Sequence, residues 1–312
     1  MLFLHLGAVV VGIGLLVGGG ELLVRASVAT ATRLRVAPFV IGASVVAFGT
    51  SFPELVVAVR ASIGNHAGII LGNVAGSNIA NVLLAVGVAA ACRPLAGARG
   101  LRLDALVMLF ATAGFVGLAL WVDVLTRLGG LALVVALAAT TMLSIRRAGA
   151  DVAQAAGEPA TQSLAWSAVV IVVSLAMVAG GAEALVAGAS GLARAFGVAE
   201  AVIGLSIVAI GTSLPEVTVT ALAALRRQGG LALGGILGSN MFNLLGVTGA
   251  AALAHPLAMQ GVLTPLDLTV LVGSTLFLAG FLTLRRSLHR SVGAGLVLLQ
   301  VLYLGALYAG SY

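Results

Sequence analysis

Long apolar runs divide this chain into segments that suit a lipid bilayer and not water. A helix of about 20 apolar residues crosses the hydrocarbon core of a membrane. Of the 312 residues, 61% are hydrophobic and 8% are charged, which excludes a soluble domain of this size. The sequence therefore predicts an all-α membrane protein with ten transmembrane helices, at 2–24, 38–60, 67–91, 105–122, 128–145, 164–188, 200–222, 230–254, 267–284 and 292–310.

An internal repeat relates the two halves at a constant offset of 162 residues. The hexamer GTSFPE at 49–54 returns as GTSLPE at 211–216, and GSNIAN at 76–81 returns as GSNMFN at 238–243. The polar stretch 147–163 is expected to be a cytoplasmic linker between a first repeat, 1–146, and a second, 164–312. Each repeat has five predicted helices, and five is odd. The second repeat would therefore enter the membrane upside down, as in the inverted repeats of secondary transporters.

The arginines predict the orientation. All 16 basic residues are Arg, and 13 of them follow odd-numbered helices. Positive residues concentrate in cytoplasmic loops, so we expect both termini outside. The same reading assigns the net charge of +6 to topology and not to nucleic-acid binding. The expected surroundings are a lipid bilayer, and no obligate protein partner is evident from the sequence.

Each hexamer places a helix breaker beside polar oxygens. Pro53 lacks an N–H, so it frees the carbonyl of Gly49, and the distortion is expected to free carbonyls near Ala47; Pro215 acts likewise near Ala209. Free carbonyls at membrane depth are tolerated only inside protein or beside a wet cavity. We therefore expect helices 2, 3, 7 and 8 to be broken and to form a site at the membrane midplane.

The residues around these breaks are hard oxygen ligands. Carboxylate, hydroxyl, amide and carbonyl oxygens suit Na⁺, Ca²⁺ and Mg²⁺. Two carboxylates in a low dielectric would take up a proton or a cation. We therefore predict that Ca²⁺ and several Na⁺ compete for one oxygen cluster. One Ca²⁺ or two Na⁺ would balance both carboxylates, and a third Na⁺ would make exchange voltage-sensitive. The candidate residues are Glu54, Glu216, Thr50, Thr212, Ser51, Ser213, Ser77, Ser239, Asn81, Asn243, Ala47 and Ala209.

The two motif pairs are similar to the two α-repeats of the sodium/calcium exchanger family, within the cation/calcium exchanger superfamily, and most resemble its compact prokaryotic members. The matching segments are 42–81 and 204–243. The resemblance implies Na⁺-driven Ca²⁺ antiport by alternating access in a prokaryotic inner membrane, with no enzymatic activity and no cofactor. It also implies that helices 1 and 6 act as sliding gates.

The resemblance also implies a role for each candidate residue. Glu54 and Glu216 would be the central Ca²⁺ ligands, with Thr50 and Thr212 beside them. Asn81 and Asn243 match polar midplane positions of the family. The Na⁺ sites would be lined by Ser51, Ser77, Ser213, Ser239 and the carbonyls of Ala47 and Ala209.

One position departs from some relatives, and several alternatives stay open. Some prokaryotic members have Asp where this chain has Asn243, so this site has two formal negative charges and not three. H⁺/Ca²⁺ exchange at the same site is the main alternative, and a cation channel is a less favoured one. Glu21 is four residues from Arg25 and is expected to pair with it or to serve ion access.

Overall fold

The computed structural model describes residues 2–96, 99–151, 163–197, 209–284 and 287–310, and over these ranges the chain is almost entirely helical. This confirms the predicted all-α membrane class. The helices, numbered in chain order, are α1 (Leu2–Leu34), α2 (Pro38–Thr50), α3 (Phe52–Ile63), α4 (Ala67–Cys92), α5 (Arg102–Trp121), α6 (Arg127–Asp151), α7 (Leu164–Ala195), α8 (Ala209–Gly211), α9 (Leu214–Leu225), α10 (Gly229–Ala254), α11 (Pro265–Thr283) and α12 (Arg290–Gly310).

Within the described residues, eight helices are long and apolar enough to cross a membrane, and the bent pair α2/α3 brings the number to nine. The predicted seventh helix, 200–222, lies partly outside the described residues and is seen as α8 and α9. α6 continues to Asp151, inside the predicted linker. α1 and α7 run past their predicted ends because small polar residues, such as Ser27 and Thr30, are buried there against protein.

The second and seventh predicted helices, 38–60 and 200–222, are broken as expected. The third and eighth, 67–91 and 230–254, are not broken. α2 and α3 meet at a 45° bend just before Pro53. α8 ends at Gly211 and α9 begins at Leu214. α4 and α10 are continuous and instead contain π-helical turns at Asn81–Val86 and Phe242–Val247. Neither helix contains proline, so every N–H stays available, and a π turn absorbs the distortion without a break.

α4 and α10 form the centre of the molecule, since most of their residues are buried, whereas almost none of the described residues of α6 is fully buried. α2 approaches α10 at backbone distance. A Cβ atom on Gly42 would lie 2.5 Å from the carbonyl oxygen of Leu231, and Gly238 faces the backbone of Ala43 as closely. Small residues at such contacts are typical of membrane helix packing. The outer helices expose large apolar side chains, among them Phe110 and Trp121, as a lipid-facing surface requires.

Two short antiparallel strand pairs join the repeats at opposite ends of the bundle. β1 (Leu95–Ala96) pairs with β4 (Ser287–Leu288), and β2 (Val124–Leu125) pairs with β3 (Leu257–Ala258). α5 lies between β1 and β2 in the chain, and its 20 residues span about 30 Å. The β1–β4 pair and the β2–β3 pair therefore mark the two ends of the molecule.

The α2–α10 contact gives a stability prediction with an internal control. Gly238 and Gly76 are repeat partners, but a Cβ on Gly76 meets nothing within 4 Å. We expect Gly238→Ala to lower the free energy of unfolding by roughly 1–3 kcal/mol through overpacking and Gly76→Ala to be nearly neutral. Thermal unfolding of the detergent-solubilised proteins measures both. Equal effects of the two substitutions would show that the close approach of α2 to α10 is not needed.

Candidate ion-binding site

Two glutamates lie at the breaks between helices, near the centre of the molecule. Glu54 is in the first turn of α3 and Glu216 is in the first turn of α9, each preceded by the proline that starts its helix. Their exposed fractions are 1% and 3%. A carboxylate in the first turn is favoured by the positive end of the helix dipole. The two acids are linked through Ser51, which lies three residues before Glu54 and donates its hydroxyl to the carboxylate of Glu216. The structure thus brings together the two acids that the repeat singles out.

Most of the carboxylate oxygens have no donor. The hydroxyl of Ser51 donates to Oε1 of Glu216 at 2.8 Å. Among the described residues, neither carboxylate oxygen of Glu54 has a hydrogen-bond partner, and nor does Oε2 of Glu216. A buried acceptor without a donor costs about 1–3 kcal/mol, and more when it is charged. Three buried carboxylate oxygens are therefore free to accept a proton or to coordinate a cation.

Hydroxyls of the first repeat's break face the second repeat. Thr50 Oγ1 donates to the carbonyl of Val46 at 3.1 Å and lies 3.5 Å from Oγ of Ser239. Ser239 Oγ also donates to the carbonyl of Ala47 at 3.5 Å. The expectation of a freed carbonyl at Ala47 is wrong, because the N–H of Ser51 donates to it at 3.1 Å. Pro53 lacks only the N–H that would bond the carbonyl of Gly49, four residues earlier, so the carbonyl of Ala47 keeps its helical donor.

In the second repeat, Ser213 makes no hydrogen bond to Glu54 that would correspond to the bond of Ser51 with Glu216. Ser213 is buried at the start of α9, and its N–H donates to the carbonyl of Ile210 at 3.1 Å. Ala209 begins α8, and Thr212 follows that helix and is half-buried. Ser77, the repeat partner of Ser239, is buried on α4. Thr212 and Ser77 both line one cavity.

Four buried amides surround the π turns. Asn81 donates through Nδ2 to Oδ1 of Asn240 at 2.9 Å, a bond that joins α4 to α10. Asn78 donates to the carbonyl of Val74 at 2.7 Å. Among the described residues, Asn243 has no partner on either end of its amide, and the oxygens of Asn78 and Asn81 are also unpartnered. Asn78 and Asn240 are not among the candidate residues predicted from the sequence. The repeat could have indicated them, because they are 162 residues apart and are therefore repeat partners.

The cavity lined by Ser77 and Thr212 has a volume of about 490 Å³ and reaches Ile69 and Val262, at the end that carries the β2–β3 pair. Its repeat counterpart is nearly closed. Thr50, Val219, Leu231 and Ser239 correspond to Thr212, Val57, Ile69 and Ser77, and they line a space of about 10 Å³. A water needs about 10–15 Å³. One of the two related approaches to the glutamates is open, and the other has room for one water at most.

A charged contact lies at the end that carries the β1–β4 pair. Arg25 donates from Nε to Glu21 at 2.5 Å, which confirms the expected pair. Arg226, at the end of α9, also bonds Glu21, from Nε at 3.0 Å and through a second, shorter contact. This second partner follows from the fold and has no signal in the sequence. The Glu21–Arg226 contact joins α1 to α9 at the end of the bundle where the approach to the glutamates is closed. Glu183, the repeat partner of Glu21, is exposed.

The candidate ligands are two carboxylates surrounded by neutral oxygens. Over the described ranges, no three His, Cys, Asp or Glu side chains come together. The oxygens come from two carboxylates, supplemented by hydroxyls, amides and one backbone carbonyl. Mixed sets of this kind suit hard, weakly polarising cations.

Comparison with known proteins places this geometry in a family. The family model described as sodium/calcium exchanger protein matches residues 4–146 and 166–309. The sodium/calcium exchanger MaX1 of Methanosarcina acetivorans is 30% identical over 95% of this chain and 96% of its own length. The inner membrane protein YrbG of Escherichia coli is 31% identical over 96% and 95%. A solved structure of the sodium-calcium exchanger NCX_Mj superposes with a TM-score of 0.86 at 30% identity, over 98% of this chain and all of the other. The chain belongs to the sodium/calcium exchanger family.

Proposed function

We propose that this transporter exchanges Na⁺ for Ca²⁺ by alternating access, and that Glu54 and Glu216 are the shared cation ligands. The observation that carries the proposal is the pair of buried carboxylates with three oxygens that have no donor among the described residues. Two ionised carboxylates in a dry membrane interior are costly without bound cations. A transported ion that neutralises them would remove that cost. The transport cycle needs no resident cofactor and no enzymatic step.

The proposed architecture is ten helices in two inverted five-helix repeats. The strand pairs support it. β1 and β3 are repeat partners, 162 residues apart, yet they lie at opposite ends of the bundle. A second repeat with the same orientation as the first would place both at one end. The hydroxyls of Thr112 and Thr275 are 3.4 Å apart, and Thr275 is one residue from the repeat partner of Thr112, so the proposed pseudo-two-fold axis would pass near this contact.

The proposed ligand set combines charge with neutral oxygens. Glu54 and Glu216 would hold Ca²⁺, with Thr50 and Thr212 beside them. The Na⁺ positions would use hydroxyl and carbonyl oxygens, and Asn81 and Asn243 would supply amide oxygens. One Ca²⁺ or two Na⁺ balances the carboxylates, and a third Na⁺ would make exchange electrogenic. The residues proposed for Na⁺ are Ser51, Ser77, Ser213, Ser239 and the carbonyls of Ala47 and Ala209.

Alternating access is supported by the difference between the two repeats. The first repeat's break is closed against Ser239 and Glu216, with hydroxyl contacts of 3.5 and 2.8 Å. The related approach past Ser77 and Thr212 is open. We propose that the opposite state exchanges these contacts, so that Ser213 donates to Glu54 and Thr212 meets Ser77. The Glu21–Arg226 contact would then break as α1 slides.

The orientation of the open cavity follows from the arginines. Because 13 of 16 follow odd-numbered helices, the end with the β2–β3 pair would face outward, with both termini on that side. The similar YrbG is named an inner membrane protein, which supports a plasma-membrane location for this chain. The described conformation is then open to the outside.

H⁺/Ca²⁺ exchange is the second candidate. It is favoured by the same unpartnered carboxylate oxygens of Glu54, since a proton would satisfy one of them. Replacing external Na⁺ by choline at constant pH separates the two candidates. Ca²⁺ flux that stops in choline supports Na⁺ coupling, and flux that persists and follows the pH gradient supports H⁺ coupling.

Removing either central carboxylate tests the ligand assignment. In proteoliposomes, we expect Glu54→Gln and Glu216→Gln each to reduce Na⁺-gradient-driven ⁴⁵Ca²⁺ uptake by roughly a hundredfold or more, because one charge is lost from a desolvated site. Glu183→Gln, at an exposed glutamate of α7, is the matched control and should retain activity. Full uptake in either central variant would contradict the assignment.

Cysteine accessibility tests the open and closed approaches. The repeat partners Val57 and Val219 line the large and the small space, respectively. In a Cys92→Ser background, we expect Val57→Cys to react with a membrane-impermeant thiol reagent at least about tenfold faster than Val219→Cys, because only the first is reached by water. Conditions that favour the inward-facing state should reverse the order. Equal rates under both conditions would contradict alternating access through these two spaces.

A further inference from the structure

The open cavity contains one ionisable acid that the proposed exchange site does not use. Asp267 lies in the first turn of α11 and lines the cavity together with Tyr303 and Gln300 of α12. The described lining contains no Arg, Lys or His. Although the chain has a net charge of +6, the only formally charged side chain in the described lining of this cavity is the carboxylate of Asp267. A negatively lined cleft raises the local concentration of cations.

The carboxylate of Asp267 is held in place and keeps acceptor capacity. Its Oδ2 accepts the N–H of Thr264 at 2.9 Å and the hydroxyl of Thr264 at 2.7 Å, which forms the cap of α11. Its Oδ1 accepts the hydroxyl of Tyr303 at 2.7 Å. A carboxylate offers about four acceptor positions, so these three bonds leave Oδ1 with a further lone pair. The side chain is only partly buried, so a hydrated ion can approach it.

Gln300 gives the second, independent sign of a ligand. It lies three residues before Tyr303, on the same face of α12. It is 4% exposed, and its side-chain oxygen has no hydrogen-bond partner among the described residues. A buried amide oxygen without a donor is costly unless an ion or water satisfies it. Gln300 lines the cavity, so an ion or a water held there can satisfy this oxygen.

These groups are arranged along one route. Asp267 is near the end of the bundle, while Gln300 is close to the middle of α12, one turn deeper than Tyr303. Farther in, the cavity is lined by Ser77, by Thr212 and by Asn73, whose amide donates to the backbone carbonyl of Glu54 at 3.2 Å. A cation that enters thus meets the carboxylate, then the amide oxygen, then the hydroxyls.

We propose that Asp267, Tyr303 and Gln300 form a weak cation site in the open cavity, which collects hard cations from solution and passes them to the exchange site. The inference deepens the proposed function and rests on it for the direction of ion movement. One carboxylate with two neutral oxygens is too few ligands for tight binding, as a transfer site requires. Its loss should slow capture of ions and leave the central site intact.

The binding test separates this site from the exchange site. Terbium, a hard trivalent ion, emits when a nearby tyrosine absorbs, and Tyr303 contacts Asp267 directly. In the Glu54→Gln/Glu216→Gln protein, which lacks both central carboxylates, we expect tyrosine-sensitised Tb³⁺ emission that saturates and that is displaced by Ca²⁺. Asp267→Asn and Tyr303→Phe should each abolish it, and Gln300→Leu should weaken Tb³⁺ binding by about three- to tenfold. No saturable emission in the double variant would overturn the proposal, whatever the central site does.

Transport provides the second measurement, with the helix cap controlled. In the otherwise unaltered protein, Asp267→Asn and Gln300→Leu should raise the KM for external Ca²⁺ by about three- to tenfold, with an unchanged maximal rate. Thr264→Ala removes the cap hydroxyl and keeps the carboxylate, so it should leave KM unchanged. If Thr264→Ala raises KM as much as Asp267→Asn, then Asp267 acts only as a helix cap and the proposal fails. Loss of uptake in the Glu54→Gln variant, by contrast, bears on the exchange site alone.

Discussion

Two buried carboxylates that share one hydrogen-bond donor among the described residues, the hydroxyl of Ser51, are the constraint on which the rest of the structure depends. Glu54 and Glu216 are buried, and three of their four carboxylate oxygens have no hydrogen-bond partner among the described residues. No arrangement of apolar helices around them is favourable while both are ionised and unpaired. The pocket therefore selects for a state in which a mobile positive charge is present. In the proposed exchange this dependence is useful, because the ion that restores neutrality would be the one transported.

The local backbone favours the two carboxylates. A proline at the second position of α3 and of α9 immediately precedes each glutamate, so both carboxylates lie in the first turn, at the positive end of a helix dipole. The central helices α4 and α10 stay continuous, and their π turns contain the buried amides of Asn81 and Asn243. Glycines such as Gly42 and Gly238 let α2 approach α10 at backbone distance. The close packing around Thr50 and Ser239 contrasts with the open cavity around Thr212 and Ser77, and this contrast supports our view of the structure as one state of a two-state carrier.

Much of the fold and of the site was predictable from the sequence, and the reasons differ by feature. The helix class follows from hydrophobic length, and the pairing of Glu54 with Glu216 follows from a gapless repeat together with Pro53 and Pro215. The continuity of α4 and α10 was missed because Gly and Asn beside a functional motif also occur at true breaks, while only proline removes a donor. The Asn81–Asn240 and Glu21–Arg226 contacts join residues far apart in the chain. The difference between the two cavities was not predictable, since a symmetric sequence pattern does not specify which side is open.

The most direct test of the central claim is a crystal structure of the protein soaked with Sr²⁺ or Ca²⁺, with the anomalous signal used to locate the ion. The account predicts one site between Glu54 and Glu216, with carboxylate oxygens from both residues at about 2.3–2.6 Å. An ion bound by only one of the two glutamates, or by neither, would contradict it.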